Sequence, residues 1–351
     1  MGTADLTAAK RRVSTKKVVA IDIFCGAGGM SLGLQRAGIK VVCGVDNDPI
    51  VLETYKKNVH SRALCRDIRR VTSSDLRPFV PKNARLIISV CAPCQPFSKV
   101  RKSGKQRTDG QLLLEVGRLI RSLRPDGVIV ENVPQISRLS AKGVLNEFQR
   151  ILSVAGYSFA VGVLDAKYYG VPQTRARMVL LAVRGRDRPV RLPRAHKGAI
   201  RTVRDAIALL PKVDAGFQSN YHPLHSAAHL SKLNHKRLRA TPLDGGDSRA
   251  WPKGLRLRCH VKSGGFYDVY GRMRWDHPAP TLTTRCISLS NGRFGHPEQA
   301  RAITLLEAAL LQTFPRRYKF EGNQGDIARQ IGNAVPARLA RALGAALVRQ
   351  L

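Results

Sequence analysis

Two residues able to do covalent or acid–base chemistry stand at the ends of apolar runs. Cys94, in Cys91-Ala-Pro-Cys-Gln-Pro-Phe-Ser98, follows Leu86-Ile-Ile-Ser-Val90, and Glu131, in Glu131-Asn-Val133, follows Gly127-Val-Ile-Val130. If both runs are strands of one sheet, thiol and carboxylate share the edge at which open α/β sheets bind substrates. A thiolate activated by local positive charge is a nucleophile, and a carboxylate beside it completes a pair for covalent catalysis. Two other readings of Cys91 and Cys94 stay open on these residues alone: a redox Cys-x-x-Cys pair, or two cysteines buried at a strand end. A zinc knuckle needs a second such pair, and the sequence has none.

Three further groupings carry chemistry. In Asp22-Ile-Phe-Cys-Gly-Ala-Gly-Gly29 an apolar run meets glycines and then a helix-like stretch, so backbone N–H groups can come close to a ligand. Asp46 ends the next apolar run, where it can hydrogen-bond a ribose diol, and Asp67, in Cys65-Arg-Asp-Ile68, can hold an adenine amine. The spacing Gly26-x-Gly28-x-x-Ser31 lacks the third glycine of the dinucleotide fingerprint, which favours an adenosine ligand without a pyrophosphate. Gln173-Thr-Arg-Ala-Arg177 places two arginines at i and i+2, pointing the same way on a strand, as for gripping a phosphate or orienting a carboxylate. His222, His225 and His229, with Cys259 as a fourth ligand, have spacing compatible with zinc. In a basic, loop-rich stretch they are read instead as phosphate contacts or partners in local hydrogen bonds, and no metal is assigned.

The elements that must position these groups alternate along residues 18–183. Val18–Phe24, Val41–Val45, Leu86–Val90 and Gly127–Val130 read as strands. Leu113, Val116, Leu119, Ile120 and Leu123 fall on one face of a helix, and Tyr157–Leu164 with Met178–Val183 read as a hairpin. This is the pattern of a mostly parallel, doubly wound α/β sheet. After Val183 the periodicity is lost. Residues 184–261 hold 17 Lys and Arg against five Asp and Glu, with many His, Pro and Gly, and read as a loop-rich second domain. Regular signals return at Thr304–Leu311 and in a final helix that begins at Pro336.

Composition narrows the partner. The 351 residues include 60 Lys and Arg against 24 Asp and Glu, a formal charge of +36, which repels itself unless a polyanion is bound. Nucleic acid is the leading candidate, ahead of an acidic membrane surface. No run of 18 or more apolar residues is present, so no membrane span is expected. The polar, basic first 17 residues do not read as a secretory signal. Seven unevenly spaced cysteines suit a reducing interior.

Taken in order, the four groupings resemble the DNA (cytosine-5) methyltransferase family over Val18 to the C-terminus. Phe24-x-Gly26-x-Gly28-Gly29 is similar to its cofactor loop, Pro93-Cys94-Gln95 to its catalytic motif, Glu131-Asn132-Val133 to its acidic motif, and Gln173-x-Arg175-x-Arg177 to its arginine motif. The stretch from Arg274 through Pro278-Ala-Pro-Thr281-Leu-Thr283 resembles the motif after the recognition region, and Gly332-Asn333-Ala-Val-Pro336 the last motif, which returns to the cofactor. The family often carries an arginine soon after the aspartate of its mobile loop; Asp109-Gly-Gln111 has none.

The resemblance implies a Rossmann-like S-adenosylmethionine-dependent domain (residues 18–186 and 325–351), a smaller loop-rich DNA-recognition domain with linker (187–324), and a basic tail (1–17). It implies a sequence-specific enzyme that methylates C5 of a flipped-out cytosine through a covalent bond from Cys94 to C6. Glu131, Arg175 and Arg177 would serve the reaction. Phe24, Gly26, Gly28, Gly29, Asp46, Asp67, Pro93 and Asn333 would bind S-adenosyl-L-methionine, and Ser98, Arg101, Lys105 and Gln173 would contact DNA. The implied partner is double-stranded DNA, with a restriction endonuclease acting separately; the implied setting is a monomer in the bacterial cytoplasm, associated with the nucleoid. An RNA cytosine-5 methyltransferase on the same scaffold and a DNA-binding protein without catalysis are the rival readings. The target sequence is not legible, because recognition would come from side chains on irregular loops.

Overall fold

The computed structural model describes residues 17–93, 111–137, 142–196, 198–257 and 267–351. Its first half alternates strand and helix: β1 (Val18–Ile23), α1 (Gly29–Arg36), β2 (Lys40–Asp46), α2 (Pro49–Val59), β3 (Arg62–Cys65), α3 (Ser73–Leu76), β4 (Arg85–Val90), α4 (Leu112–Leu123), β5 (Gly127–Asn132), α5 (Lys142–Val154), β6 (Tyr157–Asp165) and β7 (Ala176–Arg184). The strands form one sheet in the order β3-β2-β1-β4-β5-β7-β6. The first five run parallel, and β7 enters antiparallel between β5 and β6. Strand order reverses between β1 and β4, so their carboxyl ends flank the crevice where such sheets take ligands.

The period of two along β1 decides what each face meets. Val19, Ile21 and Ile23 pack in the layer under α4 and α5, whereas Ala20 packs toward α1 and α2. The expected helix on Leu113, Val116, Leu119, Ile120 and Leu123 is α4, with all five side chains buried. The expected hairpin is β6 and β7. β3 went unread because Arg62-Ala-Leu-Cys65 is four residues long with no apolar run.

Later residues form α6 (Val203–Ile207), α7 (Lys232–Ala240), α8 (Leu305–Leu311), α9 (Gln324–Asn333) and α10 (Ala337–Val348). Pro336 occupies the N-cap position of α10, as expected, and Thr304 caps α8 through a reciprocal box with Glu307. α10 returns to the sheet and packs along α1 so closely that a Cβ on Gly33 would lie 2.3 Å from the Ala340 Cβ and 2.5 Å from the Ala337 oxygen. Glycine at that position permits the contact.

Between β7 and α8 the described residues form short helices and loops, and buried arginines do the work of a regular ladder. Arg272, 2 % exposed, donates to the carbonyls of Leu238, Thr241, His296 and Gln299. Burial lowers its guanidinium pKa to about 10. Arg301 makes two 2.7 Å bonds to the carboxylate of Glu307, both side chains being buried. One apolar cluster there contains Trp275, Phe294, Phe314 and Ile331 and reaches Ala27 in the glycine loop, apart from the two clusters that line the faces of the sheet. No helix of the described residues is long and apolar enough to cross a membrane.

Candidate active site

The glycine loop is held from three sides. Asp46, at the end of β2, accepts from Gly26 N with Oδ2 (2.9 Å) and from Asp48 N with Oδ1 (3.1 Å). Burial raises the pKa of this carboxyl group. Cys25 N donates to Val45 O at 3.1 Å, and the Tyr318 hydroxyl donates to Ala27 O from 291 residues away. Phe24 and Gly28 both lie at positive φ, 58° and 87°. At Gly28 a Cβ would come within 2.7 Å of Val59 and 2.9 Å of the Tyr318 oxygen. At Gly26 a Cβ would meet nothing within 4 Å, so the loop presents open space beside the Asp46 carboxylate. A ribose fits there, since a carboxylate holding two N–H groups retains acceptor capacity.

Beneath this loop lies a group that sequence reading left without a role. Asp22 is fully buried on the α1 side of β1, where its carboxylate accepts from Ser31 Oγ (2.6 Å) and Ser89 Oγ (2.7 Å). Ser89 is its register partner on β4, and Ser31 in turn lies 3.1 Å from the Tyr55 hydroxyl. Burial raises the Asp22 pKa to about 6, against the pull of the two serines. The available signal was a lone acid inside an apolar strand. The contribution of Tyr318, distant in sequence, had none.

Glu131 is the penultimate residue of β5, and Arg177 lies near the start of β7, its antiparallel neighbour. Arg177 Nε forms an ion pair with Glu131 Oε1 at 2.9 Å, with side chains 11 % and 9 % exposed. One residue on, Asn132 Nδ2 donates to Ala92 O at 3.2 Å, which ties the end of β5 to the segment leaving β4. Pro93 is exposed there. Cys94, Ser98, Arg101 and Lys105 lie outside the described residues.

Two expectations need correction. Arg175 does not share the direction of Arg177: it precedes β7, is 2 % exposed, and donates to the carbonyls of Leu282 (2.9 Å), Gly332 (2.9 Å) and Ala334 (3.2 Å). It therefore positions the segment around Asn333. Gln173, expected at DNA, has no exposed surface; its amide donates to Gln312 Oε1 (3.0 Å) and its oxygen accepts from Leu282 N (3.1 Å). Asp67 caps a short turn and is gripped by the Arg69 guanidinium, which lowers its pKa to about 2; its carboxylate keeps acceptor capacity beyond that contact.

Asn333 is the exposed last residue of α9. Just beyond it, the Val335 carbonyl oxygen lies 2.4 Å from where a Cβ on Gly29 would be. Asn333 is thus carried to the glycine loop by its neighbours. Arg329, also on α9, pairs with Asp48 at 2.8 Å, two residues from Asp46. The histidines are occupied elsewhere. His225 is buried with ring nitrogens 3.1 Å from Thr304 Oγ1 and 2.8 Å from Pro211 O, and His222 lies 3.0 Å from Arg316 O. Among the described residues no three His, Cys, Asp or Glu side chains are grouped to hold a metal.

A carboxylate braced by arginine, a glycine loop with an acid at its rim, and the segment of residues 91–93 that leaves β4 thus share one sheet edge. Comparison with known proteins identifies the family. The family model of C-5 cytosine-specific DNA methylases matches residues 18–349. The chain is 41 % identical over 337 residues to the Type II methylase M.HgiDII of Herpetosiphon aurantiacus, covering 94 % of this chain and 95 % of the relative. It is 32 % identical to the Type II methyltransferase M.Eco47II of Escherichia coli, covering 97 % and 81 %. In fold it is similar to a putative DNA modification methyltransferase encoded within an E. coli prophage (TM-score 0.75, 23 % identity, 95 % and 99 % covered). It is also similar to the S. pombe Dnmt2 methyltransferase (TM-score 0.65, 18 % identity, 95 % and 99 % covered).

Proposed function

The chain belongs to the C-5 cytosine-specific DNA methylase family and is a DNA cytosine-5 methyltransferase, and from that premise we propose that it methylates a flipped-out cytosine through a covalent bond to Cys94. The supporting observation is the 2.9 Å Glu131–Arg177 pair at the carboxyl edge of the sheet, beside the strand that leads to Cys94.

Cytosine C5 is too weak a nucleophile to take a methyl group directly. Addition of the Cys94 thiolate at C6 moves electron density to C5. Glu131 hydrogen-bonds N3 and the exocyclic amine, offsetting charge as it develops on the ring. Arg177 holds that carboxylate in place. Bound S-adenosyl-L-methionine supplies the electrophilic methyl group and leaves as the thioether. A base then removes the C5 proton, the C5–C6 double bond re-forms, and the Cys94 thiolate is expelled. A stacked base cannot be reached from both faces, so the cytosine leaves the duplex.

The glycine loop with Asp46 and Phe24 binds the adenosine and Asn333 approaches from α9, while Pro93 sets the start of the catalytic loop. Ser98, Arg101 and Lys105 close on the DNA backbone. Residues 187–324 read the target sequence, and residues 18–186 with 325–351 carry the chemistry. The enzyme acts as a monomer in the bacterial cytoplasm, on nucleoid DNA, paired with a separately acting restriction endonuclease.

The test is bisulfite sequencing of DNA from a host expressing the chain, followed by trapping on duplexes carrying 5-fluorocytosine at the mapped site. A discrete consensus and a covalent complex lost in Cys94→Ala are expected. Methylation without a consensus would remove sequence specificity. Absence of trapping, or equal transfer to tRNA, would remove the mechanism or the substrate.

A further inference from the structure

Away from the sheet edge that carries Glu131, the outer side of the α1–α10 layer gathers positive charge without acidic partners. α1 runs from the glycine loop back toward the start of β2, so Arg36 at its end stands about 10 Å further along the helix axis than Gly29. Arg36 Nη1 donates to Thr313 O (3.4 Å), and Thr313 Oγ1 accepts from Arg338 N (3.1 Å), so the turn before Arg317 joins the two helices. The Arg341 backbone nitrogen lies 2.7 Å from where a Cβ on Gly33 would be, one turn before Arg36. Arg36, Arg201, Arg317, Arg338 and Arg341 are all exposed.

These charges act on one another. Partial burial together with Arg317 and Arg341 lowers the Arg36 pKa, and partial burial together with Arg201, Arg36 and Arg341 lowers that of Arg338. No carboxylate is among those neighbours. Ion pairs among the described residues engage other arginines, such as Arg204, Arg293 and Arg329, but none of these five. Holding like charges together on one face is unfavourable unless a polyanion neutralises them.

We propose that the arginine face formed by α1, the Thr313–Arg317 turn and the first turns of α10 is a second binding surface for the DNA phosphate backbone, outside the catalytic cleft. It rests on the reading of duplex DNA as substrate, a polyanion that continues beyond any cleft. Exposed guanidinium groups grip phosphate oxygens without reading sequence. The surface holds flanking or non-target DNA while the cleft engages a site.

The experiment compares the wild-type chain with the Arg36→Gln, Arg317→Gln, Arg338→Gln, Arg341→Gln variant. Binding is measured by fluorescence anisotropy on non-cognate duplexes of one helical turn and of several turns, across a salt series. The variant is expected to bind the long duplex roughly tenfold or more weakly at low salt, with a salt slope shallower by about 3.6 if each arginine neutralises a phosphate. Short-duplex binding, methyl transfer to a short target duplex and the melting temperature are expected to stay at wild-type values. An equal loss on both lengths would place these arginines in the cleft and overturn the proposal. Unchanged binding on both lengths would also overturn it, leaving an acidic protein as the partner of this face. Failure of the methyltransferase reading would show separately, as no methyl transfer by the wild-type chain.

Discussion

Arg177 Nε sits 2.9 Å from Glu131 Oε1, and each side chain is about nine-tenths withdrawn from water. The pair spans two antiparallel strands, and neither charge has bulk solvent to fall back on. Removing one member leaves the other desolvated and unpaired.

Arg177→Ala is therefore expected to destabilise the fold by about 3 kcal/mol, the lower end for a broken buried pair. Methyl transfer should fall by roughly a hundredfold or more, as on loss of one group that braces developing charge. Urea unfolding and single-turnover kinetics check the two effects. Wild-type stability in the variant would show that the pair is solvated.

Asp22 links stability to pH. Its pKa is raised from 3.8 to about 6 by burial, so the folded chain binds a proton more tightly than the unfolded one. The protonated form favours folding below about pH 4, and that advantage is lost as pH rises through 6. The wild-type chain should lose up to ~3 kcal/mol across this window relative to Asp22→Asn. Unfolding free energies of both chains at several pH values between 4 and 7 decide it; parallel profiles would refute the assignment.

Tyr318→Phe removes the hydroxyl that donates to the Ala27 carbonyl while keeping the ring against Phe314 and Phe320. The lost bond, of order 1 kcal/mol, should raise the KM for S-adenosyl-L-methionine about fivefold with little change in kcat. A fall in kcat at unchanged KM would mean that the loop is held by other contacts.

Between β7 and α8, Arg301→Ala would leave Glu307 buried without its 2.7 Å partner, at a cost of about 3–5 kcal/mol. The paired change Arg301→Met with Glu307→Leu should recover most of the melting temperature. If the double variant melts no higher than the single one, the pair has a role beyond charge compensation.

Much of the fold was legible because its signals are local. The period of two along Val18–Ile23, the helical spacing of Leu113 to Leu123, and the Thr304–Glu307 box depend on residues a few positions apart. Residues at the ends of such elements, Asp46 and Glu131 among them, inherit their place from the strands. β3 escaped because it is short and half exposed, and α9 because its boundaries depend on packing in the second core.

The order of motifs, the strands that end in Asp46 and Glu131, and the excess of cations are properties of the sequence by itself. Tertiary structure alone decided what the cations do. Arg175, Arg272 and Arg301 look like surface charge in composition, yet are buried on carbonyls and on Glu307, whereas Arg36, Arg338 and Arg341 stay exposed and form no ion pair among the described residues. The reason is physical: a guanidinium enters a core only where several acceptors converge on it. Those acceptors, like the Ala27 carbonyl above Tyr318, come from distant segments that only folding brings together.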